Sequence, residues 1–162
     1  DEVVEPVNFN SPGQVVIAGH KAAVERACEA CKAVGAKRAL MLAVSGPFHS
    51  QLLKGAAEKL AGRLAEISVN TPQFDVIANV DAEFEADADV IRRNLALQAA
   101  SPVQWVKTVR KMKAEGVTHV VECGPGRVLT GLIRRIDPTL ETANISSAAS
   151  IAELVAKDGF HV

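Results

Sequence analysis

The sequence predicts a mixed α/β fold in which a small α+β unit precedes a run of alternating strands and helices. Apolar residues make up 48% of the 162 residues but aromatics only 4%, and cores of Ala, Val, Leu and Ile suit parallel sheets packed between helices. Gly- and Pro-based turns punctuate short apolar runs at Ser11-Pro12-Gly13, Gly46-Pro47 and Gly124-Pro125-Gly126. Beyond residue 44, strand-like and helix-like periodicities alternate, which implies parallel pairing through crossover helices.

Residues 1–44 form the first expected unit. Val3 to Asn10 reads as a strand, Ser11-Pro12-Gly13 as a turn and Gln14 to Gly19 as a second strand, together a hairpin. Lys21 to Val34 carries Ala23, Val24, Ala27, Ala30, Cys31 and Val34 at helical spacing, and Gly35 is a good terminator. Arg38 to Val44 is the next expected strand, its apolar run from Ala39 onward expected to be buried. This order matches a split βαβ, ferredoxin-like unit that lacks its opening strand and helix. Asp1 is not an initiator methionine and the first residues already look like a strand, so the expectation is a piece of a larger protein.

Residues 45–162 form the second unit. Leu52, Leu53, Ala56, Ala57, Leu60, Ala61, Leu64 and Ile67 share one helical stripe, with Ser50 as its cap, and Asn70-Thr71-Pro72 breaks the helix. Phe74 to Val80 is strand-like, Asp81 to Asp89 an acidic loop read as solvated surface, and Val90 to Gln98 a helix. Ser101-Pro102 is expected to cap and open the next helix, which runs to Glu115 and closes at Gly116. Thr118 to Cys123 comes next as a buried strand, then the Gly124-Pro125-Gly126 turn, a helix from Arg127 to Ile136, a short strand from Glu141 to Ile145 and a helix from Ser150 to Lys157.

Composition excludes several functions. Net charge is −1 and the pI about 6.5, which argues against nucleic acid as the main partner. No apolar run is long enough to span a bilayer, and the N-terminus has neither a basic nor an apolar signal region, so a soluble, cytoplasmic protein is expected. Cys28-Glu29-Ala30-Cys31 has the C-x-x-C form, but it sits mid-helix, where no helix N-terminus stabilises a thiolate. Cys123 alone cannot complete a four-ligand cage, so no metal site is expected.

Val44-Ser45-Gly46-Pro47-Phe48-His49-Ser50 is the stretch with chemistry in it. A strand-to-helix junction is where open α/β folds place reactive side chains, and imidazole exchanges protons near neutrality, which makes His49 a candidate general base. A base needs a nucleophile. The elbow pattern G-x-S-x-G is absent, and Ser45 and Ser50 stand too close in sequence to His49 to be obvious partners. Gly124-Pro125-Gly126 joins a strand to a helix, where backbone N–H groups can cradle an anion, yet it completes neither a P-loop nor a full dinucleotide fingerprint. Lys107, Arg110, Lys111 and Lys113, with Lys37-Arg38 and Arg134-Arg135, make basic faces that are either solvated or steer an acidic partner.

The stretches Pro6 to Gly19, Ser45 to Ser50, Asn79-Val80-Asp81-Ala82, Ser101-Pro102-Val103-Gln104-Trp105 and Glu122 to Leu132 closely resemble, in order, the C-terminal half of malonyl-CoA:acyl carrier protein transacylases. The resemblance implies an α/β-hydrolase-like parallel sheet flanked by helices for residues 45–162. It implies an acyltransferase of fatty acid biosynthesis that moves malonyl from coenzyme A to the phosphopantetheine thiol of acyl carrier protein through an acyl-serine. His49 and Gln98 match the family's catalytic positions: His49 as the base, Gln98 as the residue whose backbone carbonyl orients it. Phe48 matches a position lining the acyl pocket, where a bulky ring suits malonyl, and Asn8 and Asn10 match a polar pair near that pocket.

The family's nucleophilic serine, an oxyanion-hole glutamine and the arginine that holds malonyl belong upstream of Asp1. A further segment carrying the serine is therefore an expected partner, besides malonyl-CoA and acyl carrier protein, and this chain alone is expected to be inactive. No cofactor is expected, malonyl-CoA being a substrate. Two alternatives stand beside this reading: a fragment of a polyketide synthase acyltransferase domain, and a non-catalytic module that docks carrier protein through its basic faces.

Overall fold

A computed structural model describes residues 2–85 and 87–157. Asp1 and Ala86 of the acidic loop, and residues 158–162 at the end of the second expected unit, lie outside the described residues.

Strands β1 (Val4–Ser11) and β2 (Gln14–Gly19) form the predicted antiparallel hairpin. Register shifts between Pro6 and Asn8 and between Phe9 and Ser11 leave Val7 and Asn10 without cross-strand partners, so two bulges bend β1. Gly19 closes the hairpin against the backbone of Val3. A Cβ there would stand 2.0 Å from the Val3 carbonyl oxygen, and only glycine fits. Helix α1 (Lys21–Ala33) forms as expected and ends at Gly35, whose N–H bonds the Lys32 carbonyl. Its stripe is half covered: Ala23, Val24 and Cys28 are buried, whereas Cys31 is exposed and Val34 more so.

Two predicted strands do not form. Residues 38–44 take no regular structure, and Leu40, Met41, Leu42 and Val44 are exposed rather than buried. A strand exists through the hydrogen bonds of a neighbour, and among the described residues neither two-stranded sheet offers this run one. Phe74 to Val80 contributes a single antiparallel bridge, Ile77 to Phe84. The Ala78 and Glu85 N–H groups bond the Glu83 and Val76 carbonyls, so 76–85 is a tight irregular hairpin whose turn holds Ala82 at φ 62°.

The acidic loop is more than solvated surface. Asp87 caps α3 (Ala88–Leu97) by accepting from the Asp89 and Val90 N–H groups, both at 2.9 Å. Asp81 and Glu85 accept from the amide of Asn94, which is buried. Before it, Ser50 precedes a 3-10 turn (Gln51–Leu53) and α2 (Lys54–Ala65), but its hydroxyl does not cap them. The α2 stripe too is largely uncovered, with Leu64 its buried residue.

The C-terminal elements form in the predicted order. Helix α4 (Trp105–Ala114) leads to β3 (His119–Cys123), α5 (Val128–Ile136), β4 (Glu141–Ile145) and α6 (Ala148–Val155), and β3 pairs with β4 in parallel across the α5 crossover. But β3 is half-buried with Cys123 exposed, not the buried strand expected, and α4 starts later than predicted. Val109, Ile133 and Leu140 form the core here, with Trp105, Met112, Val120 and Ile136 packed around them. Among the described residues the fold is thus a mixed α/β one with two small sheets and six α-helices.

Candidate active site

The segment Pro47 to Ser50 is a tight turn that presents His49. His49 has φ 63°, a left-handed conformation that costs a side-chain-bearing residue on the order of 1–2 kcal/mol. Something must hold it there, and the neighbouring bonds do. Ser50 is wholly buried, and its hydroxyl donates to the Pro47 carbonyl at 2.6 Å, closing the turn from within. Just beyond, the backbone N–H of Gln51 donates to the Glu5 carboxylate and the Gln51 side-chain amide adds a second bond at 3.2 Å, which ties the turn to β1.

The imidazole is held from the other side by the end of α3. Nδ1 of His49 lies 2.7 Å from the backbone oxygen of Gln98. A carbonyl can only accept, so Nδ1 carries the proton, and in the neutral ring Nε2 keeps its lone pair. Among the described residues the ring makes no other hydrogen bond. Such an arrangement, with a fixed tautomer and a nitrogen left unbonded, can serve a general base. The orienting group is neutral, so it stabilises an imidazolium less than a carboxylate would.

Sequence position alone could not bring residues 49 and 98 together. Packing of α2 against α3 and against the 3-10 turn Gln98–Ala100 does so. Phe48 is exposed, with its ring beside Gly46. Asn8 and Asn10 are half-buried on β1, Asn8 opposite Val16 and bridged to Val103, Asn10 at a bulge; no hydrogen bond among the described residues joins either to His49. Among the described residues no serine hydroxyl is hydrogen-bonded to the His49 ring, and that of Ser50 donates to Pro47 instead.

Ser101-Pro102 does not open a helix. Ser101 is extended (φ −130°, ψ 150°), and the chain runs beside β1, where Val103 donates to the Val7 carbonyl at 2.9 Å and accepts from Phe9 at 3.0 Å. Gln104 then donates to the Asn79 carbonyl at 2.8 Å, and α4 begins at Trp105. A pre-proline residue prefers extended backbone, which Ser101 adopts here.

The turn after β3 holds an anion, but the chain's own. The Glu122 carboxylate accepts from the N–H groups of Leu129 and Thr130 (3.1 and 2.8 Å) and from the Thr130 hydroxyl (2.7 Å) at the start of α5. These bonds, those from the Thr130 backbone and side chain foremost, hold its carboxyl below the ordinary carboxylate value. Asn144 donates to the carbonyls of Glu122 and Gly124, both at 3.1 Å, and fastens the same turn to β4. The basic face of α4 is partly self-neutralised: Lys111 pairs with Glu83 and Glu115 and lies 5.0 Å over the Phe84 ring. Cys28, Cys31 and Cys123 are free thiols.

Residues 1–159 match the family model described as the acyl transferase domain. The chain is 56% identical over 151 residues to the malonyl CoA-acyl carrier protein transacylase of Escherichia coli strain K12, covering 93% of this chain and 49% of that protein. Identity to the Staphylococcus aureus strain COL protein of the same name is 40%, with the same coverage. Among solved structures, the acyl-carrier-protein S-malonyltransferase of Burkholderia pseudomallei 1710b is similar at TM-score 0.91 and 53% identity, over 94% of this chain and 50% of that one. A malonyl-transacylase in complex with its type II PKS acyl-carrier protein is similar at TM-score 0.91 and 55% identity, over 93% and 49%. The chain spans about half the length of the curated relatives it matches.

Proposed function

Because the chain belongs to the acyl transferase domain family, we propose that it is the C-terminal part of an S-malonyltransferase of fatty acid biosynthesis, moving malonyl from coenzyme A to the phosphopantetheine thiol of acyl carrier protein. One observation carries this reading: the 2.7 Å contact between His49 Nδ1 and the Gln98 carbonyl, which leaves Nε2 to work as a base.

The reaction runs through a serine on an N-terminal segment. Nε2 of His49 takes the serine hydroxyl proton as the oxygen attacks the malonyl thioester carbonyl. The C–S bond breaks, and the proton passes from Nε2 to the departing coenzyme A thiolate. In the second half the phosphopantetheine thiol gives its proton to Nε2, its sulfur attacks the acyl-serine, and the proton returns to the serine oxygen. No cofactor takes part. Phe48, Asn8 and Asn10 line the malonyl side of the cleft in this reading.

The N-terminal segment also accounts for the uncovered apolar surface. Leu40, Met41, Leu42 and Val44, and on the helical stripe Leu52 and Leu60, are exposed and are suited to pack against it. Residues 1–44 then belong to a ferredoxin-like subdomain and 45–162 to an α/β-hydrolase-like core, in a cytoplasmic enzyme. No helix among the described residues is long and apolar enough to cross a membrane. The internal pairing of Lys111 weighs against a module whose sole task is docking carrier protein.

The test is transfer of malonyl from malonyl-CoA to acyl carrier protein by the chain completed with the N-terminal half of such an enzyme. His49→Ala should lower kcat about 10²–10⁴-fold, the usual worth of a positioned general base. Wild-type turnover in that variant would refute the assignment.

A further inference from the structure

We infer that Pro102 is a positioning residue for His49: lacking an N–H four residues after Gln98, it keeps the Gln98 carbonyl open to the imidazole. In an α-helix the carbonyl of residue i is taken by the N–H of residue i+4. For Gln98 that partner is residue 102, a proline, which has no N–H and whose ring would collide with the Gln98 carbonyl if the helix continued. Helix α3 accordingly gives way to the 3-10 turn Gln98–Ala100, and the carbonyl keeps a lone pair for the ring 2.7 Å away.

The same proline directs the chain beyond the turn. It drives Ser101 into extended backbone (φ −130°, ψ 150°) and delivers Val103 to β1, where both its N–H and its carbonyl are bonded, at 2.9 and 3.0 Å. The helix therefore stops at the residue whose carbonyl the histidine uses, and the exit is fastened to the strand that also holds the His49 turn through Glu5 and Gln51. An ordinary residue at 102 would supply an N–H able to compete for the Gln98 oxygen and lengthen α3, drawing that oxygen away from Nδ1.

The consequence for turnover rests on the transferase reading, but the tautomer does not. In the completed protein, nitrogen-15 NMR of the His49 ring should report a single neutral form protonated at Nδ1. Pro102→Ala should shift part of the population to the Nε2–H form and lower kcat by about tenfold while KM stays within about twofold, the effect of losing one orienting hydrogen bond. N-methylalanine at position 102, which also lacks an N–H, should restore both the tautomer and kcat.

An unchanged tautomer in Pro102→Ala, or equal damage from N-methylalanine, overturns the proposal. If Pro102→Ala does not fold, the N-methylalanine protein decides: the Nδ1–H form supports the proposal and the Nε2–H form refutes it. Absence of turnover in the wild type would sink the transferase reading and leave the NMR result standing.

Discussion

Gln98→Ala is the substitution that most sharply separates a main-chain orienter from a side-chain one. The bond to His49 Nδ1 comes from the backbone oxygen, at 2.7 Å, so truncating the side chain leaves the acceptor in place. Alanine favours helical backbone at least as well as glutamine, and position 98 has φ −61° and ψ −22°, which alanine adopts without strain. The net worth of one neutral hydrogen bond is about 0.5–1.5 kcal/mol, or roughly 2- to 13-fold in rate if it vanished. The expected change in kcat for Gln98→Ala is less than about twofold, against the 10²–10⁴-fold expected for His49→Ala. The assay is malonyl transfer by the completed enzyme, with thermal unfolding of each variant as the control. A tenfold or greater fall in kcat at unchanged Tm would mean that the side-chain amide, not the peptide oxygen, works on the histidine, and the tautomer argument would fail with it.

The core packing and the turn after β3 each carry a further expected outcome. Ile133 is 1% exposed in the core between α4, α5 and β3, so Ile133→Ala should cost about 2–5 kcal/mol in denaturant unfolding of the completed protein, and a loss below about 1 kcal/mol would show that this cluster does not carry the fold. Glu122 is held below its ordinary value of 4.5 in the folded state, chiefly by the Thr130 bonds. Its ionised form therefore stabilises the fold fully above pH 4.5 and ceases to as pH falls through the lower folded value. Glu122→Gln should lower stability at neutral pH and flatten the acid limb of the stability curve. Equal acid limbs in wild type and variant would refute the role given to Glu122.

Local signals suffice for the elements whose stability is local or nearest-neighbour. The hairpin is readable from Ser11-Pro12-Gly13, α1 from its stripe and Gly35, and the β3–α5–β4 crossover from Thr118 onward, because short connections and periodicity decide those. The strand expected at 38–44 fails for the opposite reason, since a strand depends on a partner that its own residues do not name. Ser101-Pro102 misleads because a cap followed by proline fits both a helix start and a helix stop, and only the pairing of Val103 with β1 decides between them.

By itself the sequence determined the family, through ordered motifs along nearly the whole chain, and singled out His49 behind a Gly-Pro turn as the candidate base. Tertiary structure decided how the histidine is held. It set His49 in a left-handed backbone closed by the Ser50–Pro47 bond, brought Gln98 to Nδ1 across 49 residues of sequence and put Glu122 where an outside anion would otherwise sit. The physical reason is that an acceptor made of backbone has no residue type to betray it. Any amino acid carries that oxygen, so the residues alone do not mark Gln98; the family resemblance named it, and the geometry of the helix end sets its oxygen against the ring.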